Sequence, residues 1–275
     1  MRIGFQGEPG AYGEEALLRC FGDSVEPVGY VTLDEVVANL LSGDLDAALL
    51  PAENSVAGTI GRTYELLLEY SLTIVGDIVH PIRHNLLALP GVRLGQVRRV
   101  FSHPQALEQC RRFLSVHGLE PVPQLDTAGS ARIIAEEKLE DTAAIASRRA
   151  ANLYDLRVLA YDIQDLVGNA TRFFVVGKEP AEPRSSPVKV SLVFSVPDVP
   201  GALYEALGVF ARRSLNLSKV ESRSDRQRHW KYLFYLDYTA PDPEGVPEVL
   251  EELSAKTDFL RLLGIYETLC RENDV

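Results

Sequence analysis

The residue types best suited to chemistry lie together at residues 168–174, where Gly, Asn, Ala, Thr and Arg lead into two Phe residues. The turn runs straight into an apolar segment at 173–176, so we expect it to end at the edge of a strand. There Thr171 offers a hydroxyl, and Arg172 offers a forked cation that suits a carboxylate. The alternative is a plain loop with a capping threonine and a solvated arginine.

A second polar group, Glu53, Asn54 and Ser55, follows a predicted strand at 47–50 and the strand-breaking Pro51. It stands just ahead of a helical pattern, so one interpretation is that Asn54 or Ser55 caps that helix. In the functional interpretation the amide, the hydroxyl and the free helix N–H groups bind a carboxylate. Both interpretations remain open at this point.

Two histidines, His80 and His84, and Arg83 fall within five residues. A metal site would need a third ligand, and the neighbouring sequence offers none. The pattern therefore favours a substrate-facing or structural role for these histidines over metal binding.

Strands and helices alternate along the first part of the chain, which predicts mostly parallel sheets with sites at the carboxyl ends of the strands. Several polar or glycine-rich loops stand at such ends and can face one cleft; they follow Gln6, Leu50, Ser102 and Ala146. The loop at 7–13 is either a tight turn or an anion-binding loop at a helix N-terminus.

A second α/β lobe can form between residues 85 and 159, with 73–79 and 171–176 as the two crossovers. We therefore expect the two-lobed, hinged fold of the periplasmic binding proteins (type II), in which closure removes a small ligand from water. In this division lobe one comprises residues 1–78 plus 168–178, and lobe two comprises residues 79–167.

The composition changes at residues 179–187, which are rich in proline, charge and serine and have no apolar face. This segment is a predicted linker. Residues 188–275 then follow a strand-helix-strand-strand-helix-strand order, which predicts a ferredoxin-like βαββαβ domain. The predicted first domain thus covers residues 1–178.

The formal net charge of -11 and the absence of a basic stripe argue against a nucleic-acid partner. Three cysteines without paired spacing indicate neither a disulfide framework nor a zinc site and suit a reducing compartment. No apolar run is long enough to span a bilayer, and the N-terminus enters a strand pattern at once. We therefore expect a cytoplasmic protein without a membrane partner.

Several short stretches, taken in this order, resemble the prephenate dehydratase and arogenate dehydratase family. They are GEPGAY at 7–12, ENS at 53–55, HNLLAL at 84–89, SHPQAL at 102–107, DTAG at 126–129, AAIAS at 143–147 and TRF at 171–173. The segments PGALY at 200–204 and NLSKVESR at 216–223 resemble the two motifs of ACT domains that sense amino acids.

The resemblance implies the decarboxylating dehydration of prephenate to phenylpyruvate, with Thr171 as the proton donor at the ring hydroxyl. It implies no metal or organic cofactor. The implied catalytic residues are Glu53, Asn54, Thr171, Arg172 and Phe173. The implied substrate-binding residues are Ser55, Gln105, Gln109, Ser147 and Asn169.

The resemblance also implies feedback by phenylalanine at the ACT domain, which pairs into a homodimer and often a homotetramer. The implied phenylalanine-binding residues are Gly201, Ala202, Leu203, Asn216, Leu217, Ser218 and Glu221. Two other functions stay open: an arogenate dehydratase, which acts on the amino analogue of the same substrate, and a non-catalytic protein that binds a small anion.

Overall fold

The structure is a computed structural model that describes residues 1–180, 182–183, 186–224 and 232–271. The chain forms two compact units. The first contains Met1–Leu66 and Ile78–Val175, with Cys270 and Arg271, and the second contains Leu67–Asp77 and Val176–Leu269. Because these units reflect compactness alone, the domain boundaries expected at 178 and 188 stay a prediction.

The described helices are α1 (Tyr12–Phe21), α2 (Leu33–Ser42), α3 (Gly61–Glu69), α4 (Pro104–Gln109), α5 (Arg111–Val116), α6 (Thr127–Glu137), α7 (Arg148–Leu153), α8 (Ala202–Arg212) and α9 (Val246–Ser254). We did not predict the short strands at the sheet edges, because apolar and polar residues do not clearly alternate in their sequences. None of the helices in the described part of the chain is both long and apolar enough to cross a membrane.

The first sheet has seven strands in the order β16-β5-β11-β3-β1-β2, with β4 paired to β3. Its strands are β1 (Arg2–Gln6), β2 (Glu26–Tyr30), β3 (Ala47–Asn54), β4 (Gly58–Thr59), β5 (Thr73–Pro81), β11 (Ala170–Gly177) and β16 (Thr268–Cys270). Strand β1 runs parallel to β2 and β3, with Phe5 opposite Leu49. This sheet is the core of lobe one.

Two expectations for this lobe were wrong. Strand β3 continues through Pro51 to Asn54, because Leu49 is its last partner on β1 and the missing N–H breaks no bond on that side. Neither Asn54 nor Ser55 caps the following helix, because β4 intervenes before α3 begins at Gly61.

The second sheet has the order β10-β6-β9-β7-β8 and forms lobe two. Its strands are β6 (Asn85–Ala88), β7 (Arg99–Ser102), β8 (Glu120–Pro123), β9 (Thr142–Ala146) and β10 (Arg157–Ala160). All five residues of β9 are buried, since apolar clusters cover both faces of the sheet. Ser147 caps α7 by accepting from Ala150 N–H.

The C-terminal unit contains a four-stranded antiparallel sheet in the order β13-β14-β12-β15. Its strands are β12 (Val188–Ser195), β13 (Leu217–Ser224), β14 (Tyr232–Ala240) and β15 (Phe259–Tyr266). With α8 and α9 this gives the predicted βαββαβ order, built on one apolar cluster. The predicted class, two α/β lobes followed by a ferredoxin-like domain, is confirmed.

Candidate active site

The first unit contains a cleft of about 590 Å³ whose walls come from both lobes. Loops at the ends of β1, β3 and β7 contribute to it, as expected for carboxyl ends of strands. Its polar lining residues are Gln6, Glu8, Tyr12, Tyr30, Glu35, Asn54, His84, His103, Gln105, Gln109, Asp126, Thr127 and Thr171. The cleft therefore collects several of the predicted site residues.

Strand β11 divides its predicted residues between two faces. Thr171 and Phe173 line the cleft, and both are 7% exposed. Arg172 points to the opposite face, since successive side chains alternate along a strand. Its guanidinium carbon lies 4.9 Å from the centroid of the Phe174 ring. The expectation that Arg172 grips a substrate carboxylate therefore does not match its position.

Asn54 holds the hydroxyl of Thr171. The Oδ1 atom of Asn54 accepts the backbone N–H groups of Val56 at 3.0 Å and Ala57 at 2.9 Å. Its Nδ2 must then face the other way, where it donates to Thr171 Oγ1 at 3.1 Å and to Ala170 O at 3.2 Å. Because the Thr171 oxygen accepts a bond, its own hydrogen is available for an acceptor in the cleft.

A row of side chains continues from Asn54 across to lobe two. Asn54 Nδ2 lies 2.8 Å from Asn169 Oδ1, and Asn169 Nδ2 lies 2.9 Å from Gln109 Oε1. Gln109 Oε1 is also 2.8 Å from His84 Nε2, and His84 Nδ1 is 2.7 Å from the Tyr12 hydroxyl. The predicted residues Asn169 and Gln109 thus bridge the two lobes.

The remaining predicted residues have other surroundings. Ser55 is exposed, and its Oγ accepts the N–H of Ala170 at 3.0 Å. Ser147 is buried, and its Oγ donates to Gly10 O at 2.6 Å. Among the described residues that line the cleft, Gln105 is present, while Glu53, Ser55, Ser147, Asn169 and Arg172 are not.

Carboxylates set the charge of the cleft. Glu8 is paired with Arg132, whose Nε lies 2.5 Å from Glu8 Oε2. Asp126 caps α6 by accepting Gly129 N–H at 2.6 Å, and partial burial raises the pKa of its carboxyl. No Lys or Arg side chain belongs to the lining in the part of the chain that the structure describes. The first turns of α1 and α6 supply positive ends of helix dipoles instead.

Sequence reasoning missed Tyr12 as a member of the site and left His84 open between a substrate-facing and a structural role. Both residues stand inside stretches that carried the family resemblance, but their types alone did not reveal that they touch. The Tyr12 and His84 ring centroids are 5.5 Å apart at an edge-to-face angle of 73°. Only the folded chain brings α1 and the end of β5 to the same place.

The residues predicted to bind phenylalanine lie at the starts of α8 and β13. Gly201 is the N-cap of α8 in the left-handed region, with φ of 88°, where only glycine fits without strain. Asn216 directly precedes β13, and Ser218 Oγ donates to Asp237 O at 3.3 Å. Glu221 Oε2 lies 3.0 Å from Lys219 Nζ. The other predicted residues, Ala202, Leu203 and Leu217, are half-buried.

Comparison with known families identifies two regions. Residues 3–181 match the family model described as prephenate dehydratase, and residues 190–257 match the ACT domain. A chloroplastic arogenate dehydratase/prephenate dehydratase 1 from Arabidopsis thaliana is 42% identical over 97% of this chain and 72% of its own length. A second such enzyme from Arabidopsis thaliana is also 42% identical, over 97% of this chain and 72% of its own length.

Two solved structures are similar over 98% of this chain. Prephenate dehydratase from Arthrobacter aurescens in complex with L-Phe has a TM-score of 0.88 and 32% identity, covering 98% of this chain and 90% of that chain. GqqA, described as a novel type of quorum quenching acylase, has a TM-score of 0.88 and 33% identity, covering 98% of both chains. With the match over residues 3–181 and the identity to the plant enzymes, the chain belongs to the prephenate dehydratase family and carries an ACT domain.

Proposed function

We propose that this protein catalyses the decarboxylating dehydration of prephenate to phenylpyruvate, carbon dioxide and water in phenylalanine biosynthesis. The observation that carries the proposal is the Thr171 hydroxyl, which faces the cleft with its oxygen held by Asn54 Nδ2 at 3.1 Å. A hydroxyl held in this way donates its hydrogen to the group that arrives in the cleft. Dehydration needs such a donor at the departing oxygen.

In this reaction the bond from the ring to its carboxylate breaks, and the electron pair moves into the ring. As this pair shifts through the ring, the bond from the ring to its hydroxyl oxygen breaks, and the oxygen leaves as water with a proton drawn through the Thr171 hydroxyl from solvent. Aromatisation drives both steps. The hydrogen bond from Thr171 strengthens as negative charge develops on the leaving oxygen, which makes it stronger in the transition state than in the ground state.

The carboxylates of the substrate need positive partners in a cleft whose lining residues include no Lys or Arg within the described chain. We assign this role to the backbone N–H groups at the first turns of α1 and α6, together with the amide of Gln105. Phe173 forms an apolar wall for the ring. Asn54 orients Thr171 instead of binding a carboxylate itself.

The test is to incubate the purified chain with prephenate and to measure phenylpyruvate. An N-acyl amide serves as the alternative substrate, since one structural relative is described as an acylase. We expect no amide cleavage, because the partner of the Thr171 oxygen is the Asn54 amide, which donates and is not a base that would activate a nucleophile. Absence of phenylpyruvate with a folded chain would refute the proposal.

A second candidate is the dehydration of arogenate, which carries an ammonium group where prephenate carries a ketone. Asp126 favours this candidate, because a half-buried carboxylate in the cleft lining suits a cation better than a dianion. The relatives from Arabidopsis thaliana have both substrates in their names. The measurement is kcat/KM for each substrate, and this candidate predicts a higher kcat/KM for arogenate than for prephenate.

The variant Asp126→Asn tests this candidate, because asparagine keeps the cap on α6 while it removes the charge. We expect kcat/KM for arogenate to fall about tenfold or more, while kcat/KM for prephenate rises or remains unchanged. Glu35→Gln is the matched control at the exposed rim of the cleft. Equal effects of Asp126→Asn on both substrates would remove Asp126 as the partner of the ammonium group.

We also propose that phenylalanine inhibits the enzyme through the ACT domain. The support is the open N-terminus of α8 at Gly201, where backbone N–H groups suit an α-carboxylate, and the similar Arthrobacter aurescens enzyme was solved with L-Phe. Asn216→Ala should weaken inhibition while it leaves KM for the substrate unchanged. Undiminished inhibition in this variant would contradict the assignment of Asn216.

For assembly we propose a homotetramer built from ACT dimers, with the cytoplasm as the location. Strand β13 is an edge of its sheet and alternates half-buried and exposed residues, which suits side-by-side pairing with a second copy. The three cysteines, Cys20, Cys110 and Cys270, are not joined in disulfides, which suits a reducing compartment. Light scattering of the full chain measures the number of copies in the assembly, and cell fractionation measures the location.

A further inference from the structure

The hydrogen positions in the row from Asn54 to Tyr12 follow from one fixed point. Two backbone N–H groups, which only donate, bind Asn54 Oδ1, so Asn54 Nδ2 must point to Asn169 Oδ1. The amide of Asn169 is thereby oriented as well, and its Nδ2 donates to Gln109 Oε1. Each amide in the row therefore has one orientation.

This orientation decides the tautomer of His84. Gln109 Oε1 only accepts, so the His84 Nε2 atom, 2.8 Å away, must carry a hydrogen. In a neutral imidazole Nδ1 is then the acceptor, and the Tyr12 hydroxyl at 2.7 Å is its donor. The Tyr12 hydroxyl also lies 3.0 Å from Arg83 O, a second acceptor for its single hydrogen, so the tautomer is set from the Gln109 side.

Burial keeps both groups in the protonation states that the row requires. His84 is 2% exposed, and burial lowers its pKa, so the ring stays neutral near pH 7. Burial raises the pKa of the Tyr12 hydroxyl well above its usual value, so this hydroxyl keeps its hydrogen. The two side chains also pack edge to face, which limits rotation of the imidazole.

Two donors, from Asn169 and His84, hold the oxygen of Gln109, and its Nε2 donates to Asn54 Oδ1 at 3.5 Å. Without the His84 donor, the oxygen of Gln109 loses one of its two donors, and the partner of Asn169 is held less firmly. Asn169 in turn supports Asn54, which holds the Thr171 oxygen. The effect of His84 thus reaches the reacting hydroxyl through three amides.

We propose that His84 is a positioning residue for the dehydration. Through its Nε2–H it fixes Gln109, and through Asn169 and Asn54 it fixes the direction in which Thr171 donates. This inference rests on the proposed dehydratase function.

The kinetic test uses two substitutions of His84 that differ in reach. In His84→Gln the amide nitrogen stands near the place of Nε2 and still donates to Gln109, whereas the shorter side chain in His84→Asn does not reach it. We expect kcat to fall about ten- to a hundredfold in His84→Asn and to stay within about threefold in His84→Gln, with KM little changed in both. His117→Asn is the matched control, because His117 is exposed and lies outside the cleft lining.

A second readout does not depend on turnover. In ¹⁵N NMR of the full chain, the imidazole signal that disappears in His84→Gln should show an Nε2–H tautomer. Equal kcat in both His84 variants, or a rise in KM with unchanged kcat, would overturn the role. An Nδ1–H tautomer in an active wild-type chain would overturn it too, without touching the proposed function. A wild-type chain without turnover would overturn both.

Discussion

Replacement of Thr171 by valine is the sharpest test of the site, because valine keeps the shape and the branched Cβ that a strand favours. Thr171 is 7% exposed and lies on β11, so the backbone should not change. The variant lacks only the hydroxyl. Its effect on turnover therefore measures what the hydroxyl does.

The expected loss of stability is small. Asn54 Nδ2 loses the bond to Thr171 Oγ1 at 3.1 Å but keeps Asn169 Oδ1 at 2.8 Å and Ala170 O at 3.2 Å. No buried donor is left without an acceptor, so the free energy of unfolding should fall by about 1 kcal/mol. Urea denaturation of both proteins measures this difference.

The expected loss of activity is much larger. Removal of an oriented acid lowers turnover by about two to four powers of ten, which is about 3–5 kcal/mol in the activation barrier. KM should change little, because the carboxylates of the substrate have other partners. The assay is the initial rate of phenylpyruvate formation at several concentrations of prephenate.

Two further variants control this experiment. Thr171→Ser keeps a hydroxyl at the same place and should recover most of the turnover. Thr142→Val removes a hydroxyl from a fully buried threonine on β9, which donates to Asp141 at 2.8 Å, and should cost stability without loss of turnover. If Thr171→Val retains wild-type turnover, or if Thr171→Ser is as slow as Thr171→Val, the hydroxyl is not the donor.

Three other predictions concern stability and use chemical denaturation. Burial lowers the pKa of His84 below its unfolded value of about 6.5, so the unfolded chain takes up the proton first as the pH falls. Its free energy of unfolding should therefore decrease below about pH 6.5, with a shallower decrease in His84→Gln; identical slopes would contradict this. Ser147→Ala removes a helix cap and the bond to Gly10 O, and should cost about 1–3 kcal/mol with an unchanged KM. A raised KM would instead support the role in substrate binding that the sequence suggested. In the C-terminal unit, Lys189 Nζ lies 2.6 Å from Asp77 Oδ2, and Asp77 is fully buried. Lys189→Met should cost about 3–5 kcal/mol, and adding Asp77→Asn should restore part of it; no restoration would show that the loss comes from packing.

The sequence by itself determined the class of the fold and the order of its domains. Alternating strands and helices, the proline-rich segment at 179–187 and the βαββαβ order follow from hydrophobic periods and turn residues, which act over short distances. The resemblance of short motifs also brought out Thr171, Asn54 and Gln109, all of which line the cleft. Their types already suited hydrogen bonding.

Only the tertiary structure decided how these groups are oriented. Strand alternation turns Arg172 away from Thr171, and the turn after β3 fixes the amide of Asn54 through two backbone N–H groups. The contact of Tyr12 with His84 joins residues 72 positions apart. A sequence states which donors and acceptors exist, but their direction depends on neighbours that are distant in the chain. For this reason the row that orients the hydroxyl of Thr171 became visible only in the folded protein.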